Sequence, residues 1–221
     1  MKKYILLLTI LTAIFSGCTK NAEDYYNEAK KYSESKDYAQ AIPLYEKSCE
    51  LGSALACSSL AYLYEKGIGV EKDLNKSDEL NIKACDLGSA NSCYYMARLK
   101  SDNITEFLSY MDKSCSLDFS AGCITLGNVY LNGFNENMVT LEKDKEKGLS
   151  YISKACELDN QYCANLADIY ISGYDVPQNY EEAVKYYEQS INYFQDKCKE
   201  YDEENIACIN IKILKAKYSY K

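Results

Sequence analysis

The stretch ACSSLAYLYEKGIGVEKDLNKSDELNIKACDLGSA, Ala56 to Ala90, carries two helical patterns joined by a glycine loop. Ala56, Leu60, Ala61 and Tyr64 recur at three- and four-residue steps, the spacing of one helix face. Gly67-Ile68-Gly69-Val70 then breaks that pattern, Lys72-Asp73 follow, and a second amphipathic run ends at Cys85. Gly88-Ser89 supply a stop and a fresh N-cap before the next helical run, ANSCYYMARL. The stretch predicts two antiparallel helices and the start of a third.

The corner between those helices has a cysteine on each side. The same frame recurs as SCELGSALAC, ending at Cys57, and as SCSLDFSAGC, ending at Cys123, and less regularly at Cys156/Cys163 and Cys198/Cys208. Of the chain's eleven cysteines, all but Cys18 fall into such short-range pairs: Cys49 and Cys57, Cys85 and Cys93, Cys115 and Cys123, Cys156 and Cys163, Cys198 and Cys208. Disulfides in an oxidising compartment are the expected state, each short loop adding roughly 2–3 kcal/mol in the chain-entropy model. Zinc is the competing state; it favours CxxC spacings or histidines, and neither occurs.

Composition narrows the function classes. The 221 residues are 47% hydrophobic, enough to bury a sizeable core. The formal charge is −8, and the first seventeen residues contribute only Lys2 and Lys3, so the remainder is more acidic still. A nucleic-acid partner is not expected, because phosphate neutralisation needs clustered Lys or Arg. The absence of histidine excludes Ser-His-Asp, Cys-His and His-metal chemistry. No metal and no cofactor are expected. Two prolines, Pro43 and Pro177, and heavy use of tyrosine favour a helical protein packed with Tyr and Leu.

The opening MKKYILLLTILTAIFSGC has a basic start, an apolar run from Tyr4 to Phe15, then small residues and Cys18. It is too short to span a bilayer and has the layout of a secretory signal. It resembles bacterial lipoprotein signals, in which cleavage before the cysteine exposes it for diacylation, although Phe15 replaces the usual aliphatic residue. Residues 1–17 are thus expected to be a lipoprotein-type signal, with Cys18 lipidated and the membrane reached by that N-terminal lipid only. Ordinary signal cleavage nearby is the alternative. Thr19 stands where enteric-type sorting uses aspartate for inner-membrane retention, so the expected location is the periplasmic face of the outer membrane, or release.

Outward from Ala56–Ala90, related units recur with a period of roughly thirty to forty residues, the mark of a solenoid. The fourth unit carries Cys123, Leu126, Gly127, Tyr130 and Gly133 with a longer loop before Gly148; the fifth carries Cys163, Leu166, Ala167, Tyr170 and Gly173, with Pro177 in its loop. The third drops the glycine loop, MARLKSDNITEF moving straight into its second helix. The first, with Ala29, Tyr32, Tyr38, Ala41 and Tyr45, is closer to a plain tetratricopeptide unit. Each complete copy resembles a Sel-one-like repeat, a relative of the tetratricopeptide repeat built from two antiparallel helices and a glycine loop. With a cysteine pair per unit, the chain is similar to the Helicobacter cysteine-rich protein family of exported, disulfide-bridged repeat proteins. The resemblance implies one all-α domain over residues 18–221: a right-handed superhelical solenoid of antiparallel helix pairs, about five repeats, closed by a helix near Asn205 to Tyr218.

The same resemblance implies that the first helix of each pair lines a concave groove. Positions one and five beyond each first-helix core residue then read Tyr26 and Lys30, Ser58 and Tyr62, Tyr94 and Arg98, Ile124 and Asn128, Ala164 and Asp168. Tyr62, Tyr94 and Arg98 are the expected contacts, since Tyr and Arg carry most interface energy. Helix packing and a surface ion pair are the alternative uses of those side chains. Tyr64, Tyr130 and Tyr170 share one repeat position and are expected in the core. The expected partner is a protein, peptide or cell-wall fragment.

Members of the cysteine-rich family are described as penicillin-binding proteins or weak β-lactamases, so an enzyme is the second hypothesis. SESK, Ser33 to Lys36, and SDN, Ser101 to Asn103, match β-lactamase elements, but KTG is missing and no sheet or oxyanion hole is expected. No catalytic residue is assigned. A β-lactam could still meet Lys30 or Arg98 through its carboxylate without turnover.

Overall fold

The computed structural model describes residues 20–136, 139–173 and 177–199, together with 209 and 212. The signal segment, Cys18, Cys208 and nearly all of the helix expected at Asn205–Tyr218 lie outside the described residues. The chain divides into two compact units, Met1–Ser89 and Ala90–Lys221.

The N-terminal unit holds α1 (Ala22–Glu34), α2 (Tyr38–Glu50), α3 (Ala54–Lys66) and α4 (Leu74–Asp86). The C-terminal unit holds α5 (Ala90–Leu99), α6 (Ile104–Ser116), α7 (Ser120–Asn132), a hairpin of β1 (Phe134–Glu136) and β2 (Val139–Leu141), α8 (Lys145–Leu158), a 3-10 turn at Asn160–Tyr162, α9 (Cys163–Ser172) and α10 (Tyr180–Lys199). The fold is all-helical but for that hairpin, in which Phe134 pairs with Leu141 and Glu136 with Val139. The sequence had suggested only a longer loop there.

Local chemistry sets the helix starts. Asn21 and Asp24 form a capping box on α1, and the side chains of Asp37, Ser53, Asp73, Asn103 and Asp144 accept backbone N–H bonds at the starts of α2, α3, α4, α6 and α8. Pro43 lies inside α2, which remains continuous. Its ring is exposed, as is Ala39, the residue whose carbonyl loses its N–H partner, so water can satisfy that oxygen.

The corners are built as the cysteine spacing predicts. Cys49–Cys57 joins the end of α2 to the first turn of α3, and Cys115–Cys123 joins α6 to α7, both with Cα atoms 4.7 Å apart. Cys156–Cys163 joins α8 to the start of α9 at 4.5 Å. Cys85, Cys93 and Cys198 are also disulfide-bonded. The corner needs a left-handed residue in its full-length form: Gly52 and Gly88 have φ of 95° and 98°, and Asp118 takes the place of glycine at 61°. The shorter Cys156–Cys163 corner instead runs through an extended Asp159 into the 3-10 turn. This accounts for its irregular spacing.

Two backbone devices repeat. The residue before Cys49, Cys85, Cys115 and Cys156 is either a buried serine or a buried alanine. Ser48 donates to the Ala22 carbonyl at 2.6 Å and Ser114 to that of Ala90 at 3.0 Å, tying a second helix to the start of the first. Ala84 and Ala155 occupy the same place without that bond. The second device closes the loops: the carbonyls of Tyr64, Tyr130 and Tyr170 accept the N–H of Asp73, Asp144 and Asn179 respectively, each at the start of the partner helix. These anchors are unchanged where the hairpin is inserted between Tyr130 and Asp144.

Each unit has its own core. Ala41, Tyr45, Cys57, Leu60, Ala61 and Leu80 belong to the N-terminal one; Met111, Leu126, Ile152, Cys156 and Leu166 belong to the C-terminal one. In the latter, α7 and α8 cross closely at two glycines. A Cβ on Gly127 would lie 2.4 Å from Ile152 Cγ1 and 2.9 Å from the Gly148 carbonyl oxygen.

Candidate functional site

In the N-terminal unit, α1, α2, α3 and the glycine loop enclose a concavity of about 370 Å³ lined by Ser33, Tyr38, Tyr45, Ser58, Ser59, Tyr62, Leu63 and Ile68. Its floor is the core itself, since Tyr45 and Leu63 are each only 4% exposed, and its rim includes Tyr62 at 53%. The Tyr45 hydroxyl lies beside those of Ser33 on α1 and Ser59 on α3. Burial raises the Tyr45 pKa above its ordinary value; the two serines oppose that shift and the nearby Glu34 carboxylate reinforces it.

The glycine loop forms one wall. Gly69 has φ of 73°, and a Cβ there would lie 2.2 Å from Tyr38 Cβ and 3.2 Å from Ile42 Cδ1. Only glycine allows the loop to press this close to α2. Ile68 thereby lines the concavity while Gly67 ends α3 in a left-handed cap.

Of the expected groove residues, Ser58 and Tyr62 line this concavity. Tyr26 is half-buried, its ring 5.9 Å from that of Tyr45. Lys30 is exposed and paired with Glu34 at 3.9 Å. In the C-terminal unit, Tyr94 is half-buried and packs edge-on against Phe119 with ring centres 5.3 Å apart. Arg98 is exposed in the last turn of α5, Ile124 is buried, Ala164 is half-buried and Asn128 is exposed. Asp168 accepts a short hydrogen bond from Tyr187. The tyrosines expected in the core are half-buried there: Tyr130 stacks on Tyr151 with centres 5.7 Å apart and Tyr170 on Tyr186 at 5.8 Å, and Tyr64 packs against the N-terminal core.

Ser33, Tyr38, Tyr45 and Ser59 were not among the residues the sequence singled out for the groove. Tyr38 and Tyr45, seven residues apart, share one face of α2, but only packing brings that face to Ser33 on the last turn of α1 and Ser59 on α3. Ser33 also begins SESK. Lys36 of that motif sits in the α1–α2 turn with φ of 64° and is exposed. SDN lies in the other unit, where Asn103 caps α6.

Among the described residues, no group of three or more His, Cys, Asp or Glu is placed to hold a metal ion, and no helix is long and apolar enough to cross a membrane. The geometry is that of a disulfide-clipped helical repeat scaffold with a tyrosine-rimmed concavity in its N-terminal unit.

The Sel1 repeat model matches residues 25–53, 54–89, 120–160 and 161–192, more than half the chain. The chain belongs to the Sel1 repeat family. A candidate β-lactamase by its name, HcpD of Helicobacter pylori strain J99, is 32% identical over 76 residues, 34% of this chain and 25% of that protein. The cytochrome c oxidase assembly factor 7 homolog of Drosophila melanogaster is 34% identical over 194 residues, 84% of this chain and 72% of that protein. Among solved structures, a Sel1 repeat protein from Oxalobacter formigenes superposes with a TM-score of 0.65 at 22% identity, covering 76% of this chain and 70% of its own. A protective antigen of uropathogenic Escherichia coli with an SLR fold gives 0.67 at 19% identity, covering 89% and 46%. These two share the fold alone. The chain spans about a quarter of the length of HcpD.

Proposed function

We propose that this chain is an exported, lipid-anchored binding scaffold whose concave faces hold a protein or peptide partner. Export is supported by the signal-like opening and by the disulfides, which need an oxidising compartment. The observation that carries the binding role is the concavity under Tyr62: a half-exposed aromatic rim over a preformed hydroxyl floor, the kind of place where interface energy concentrates. The role of the Drosophila relative, by name an assembly factor, fits a protein that works by binding. Selection of a displayed peptide library on the oxidised chain tests this. Enriched peptides should lose about tenfold or more in affinity on Tyr62→Ala. A library that enriches nothing would count against a binding role.

One observation favours a second function, β-lactam binding: the serine of SESK lines the same concavity. Against turnover stands a lining with neither a lysine nor a carboxylate to serve as general base beside the serine. A chromogenic cephalosporin and labelled penicillin should therefore give no saturable hydrolysis. Turnover lost on Ser33→Ala or Arg98→Ala would make the chain a hydrolase.

A further inference from the structure

We infer that the concavity beneath Tyr62 takes the phenol side chain of a tyrosine on the partner, with its hydroxyl meeting the Tyr45–Ser33–Ser59 cluster. This rests on the scaffold reading above and supplies the chemistry of its anchor. At about 370 Å³ the space lies at the small end of ligand pockets, with room for one aromatic side chain and the chain that carries it but not for a folded segment. Leu63, Ile68 and the rings of Tyr38 and Tyr62 offer apolar contact. The polar atoms that side chains contribute are all hydroxyls, each able to donate and accept.

The neighbouring hydroxyls of Tyr45, Ser33 and Ser59 decide what enters. Each can donate and accept, so the cluster can meet one polar tip of a guest in either sense. An aliphatic side chain would cover these groups without pairing them, which costs desolvation. A carboxylate would enter with no countercharge in the lining. A sugar ring carries hydroxyls around its whole edge, and some would be buried against Leu63 and Ile68. A phenol has an apolar body and one polar tip, matching a lining that sets neighbouring hydroxyls beside apolar side chains.

The test is an NMR titration of the full oxidised chain with N-acetyl-tyrosinamide, N-acetyl-phenylalaninamide and N-acetylglucosamine. The tyrosine amide should saturate shifts in Ser58–Leu63 and bind about tenfold more tightly than the phenylalanine amide. Ser59→Ala, and Tyr45→Phe, which keeps the ring in place, should bring the two amides to equal affinity, with circular dichroism confirming the fold. No saturable shift, equal affinities in the unmodified chain, or tighter binding of the sugar would overturn the inference. Library peptides that bind at Tyr62 but lack tyrosine would overturn the anchor and leave the scaffold reading standing. Saturable tyrosine-amide binding with no peptide enriched would do the reverse.

Discussion

The two units use the same repeat but treat its tyrosines differently. In the C-terminal unit the rings are tied into packing: Tyr130 stacks on Tyr151, Tyr170 on Tyr186, Tyr151 donates to Asp112, and Tyr187 donates to Asp168. In the N-terminal unit Tyr45 is buried against Tyr26 with serine hydroxyls beside its own, and Tyr38 and Tyr62 are set around a concavity. Carboxylate partners lock a phenol as donor; hydroxyl neighbours leave capacity to exchange. The same repeat thus gives its tyrosines different surroundings at the phenol oxygen.

The comparison can be broken most severely through the bridges. Replacing Cys49 and Cys57 together by alanine should cost the N-terminal unit about 2–3 kcal/mol, and Cys115 with Cys123 a similar amount in the other unit. Guanidinium unfolding followed by circular dichroism would read both. Equal stability of the oxidised and fully reduced chain would show that the corners are held by packing alone. A slightly smaller effect is confined to the C-terminal unit. Gly127→Ala gains helix propensity but drives a methyl against Ile152 and the Gly148 carbonyl, so a net loss of about 1–2 kcal/mol is expected. An unchanged midpoint in urea would mean that α7 and α8 separate at little cost.

The smallest effect sharpens the difference in tyrosine chemistry. Burial, then the Asp112 or Asp168 carboxylate, raises the pKa of Tyr151 and Tyr187 above the ordinary phenol value. A raised folded-state pKa means that the unfolded chain releases its proton first. The contribution is whole below pH about 10 and is lost as pH rises above it. Tyr187→Phe should flatten that alkaline loss. Tyr45→Phe should alter it less, because two serines oppose the shift at Tyr45. Parallel urea midpoints from about pH 9 to 11 would check this, and identical slopes in both variants would remove the distinction.

Much of the fold was legible because its rules are local. Cysteine pairs on either side of a Gly-Ser corner, and apolar steps of three and four residues, fix which helix ends meet. The α7–α8 hairpin was not legible: FNENMVTL, Phe134 to Leu141, lacks a two-residue turn signature, and its pairing depends on anchors set by the helices. Pro43 reads as a breaker, yet α2 runs through it because the affected carbonyl faces solvent. The site was half visible. Helix phase places Ser58 and Tyr62 together, since both lie on α3, but Ser33, Tyr38 and Tyr45 join them only through tertiary packing. Helix phase likewise says nothing of the fate of Asp168, whose partner Tyr187 lies on another helix.

The paired anchors at Tyr130 and Asp144 have a practical meaning. Because the backbone bond between them closes the loop at its base, whatever lies between is a guest of the scaffold and not part of it. The entropy of lengthening a closed loop grows only slowly with its length. That span is thus a ready-made insertion port, where a foreign epitope or affinity tag can be displayed at a fixed place while the helices keep their register, whereas the loop after Tyr64 is not, because Ile68 and Gly69 pack against α2.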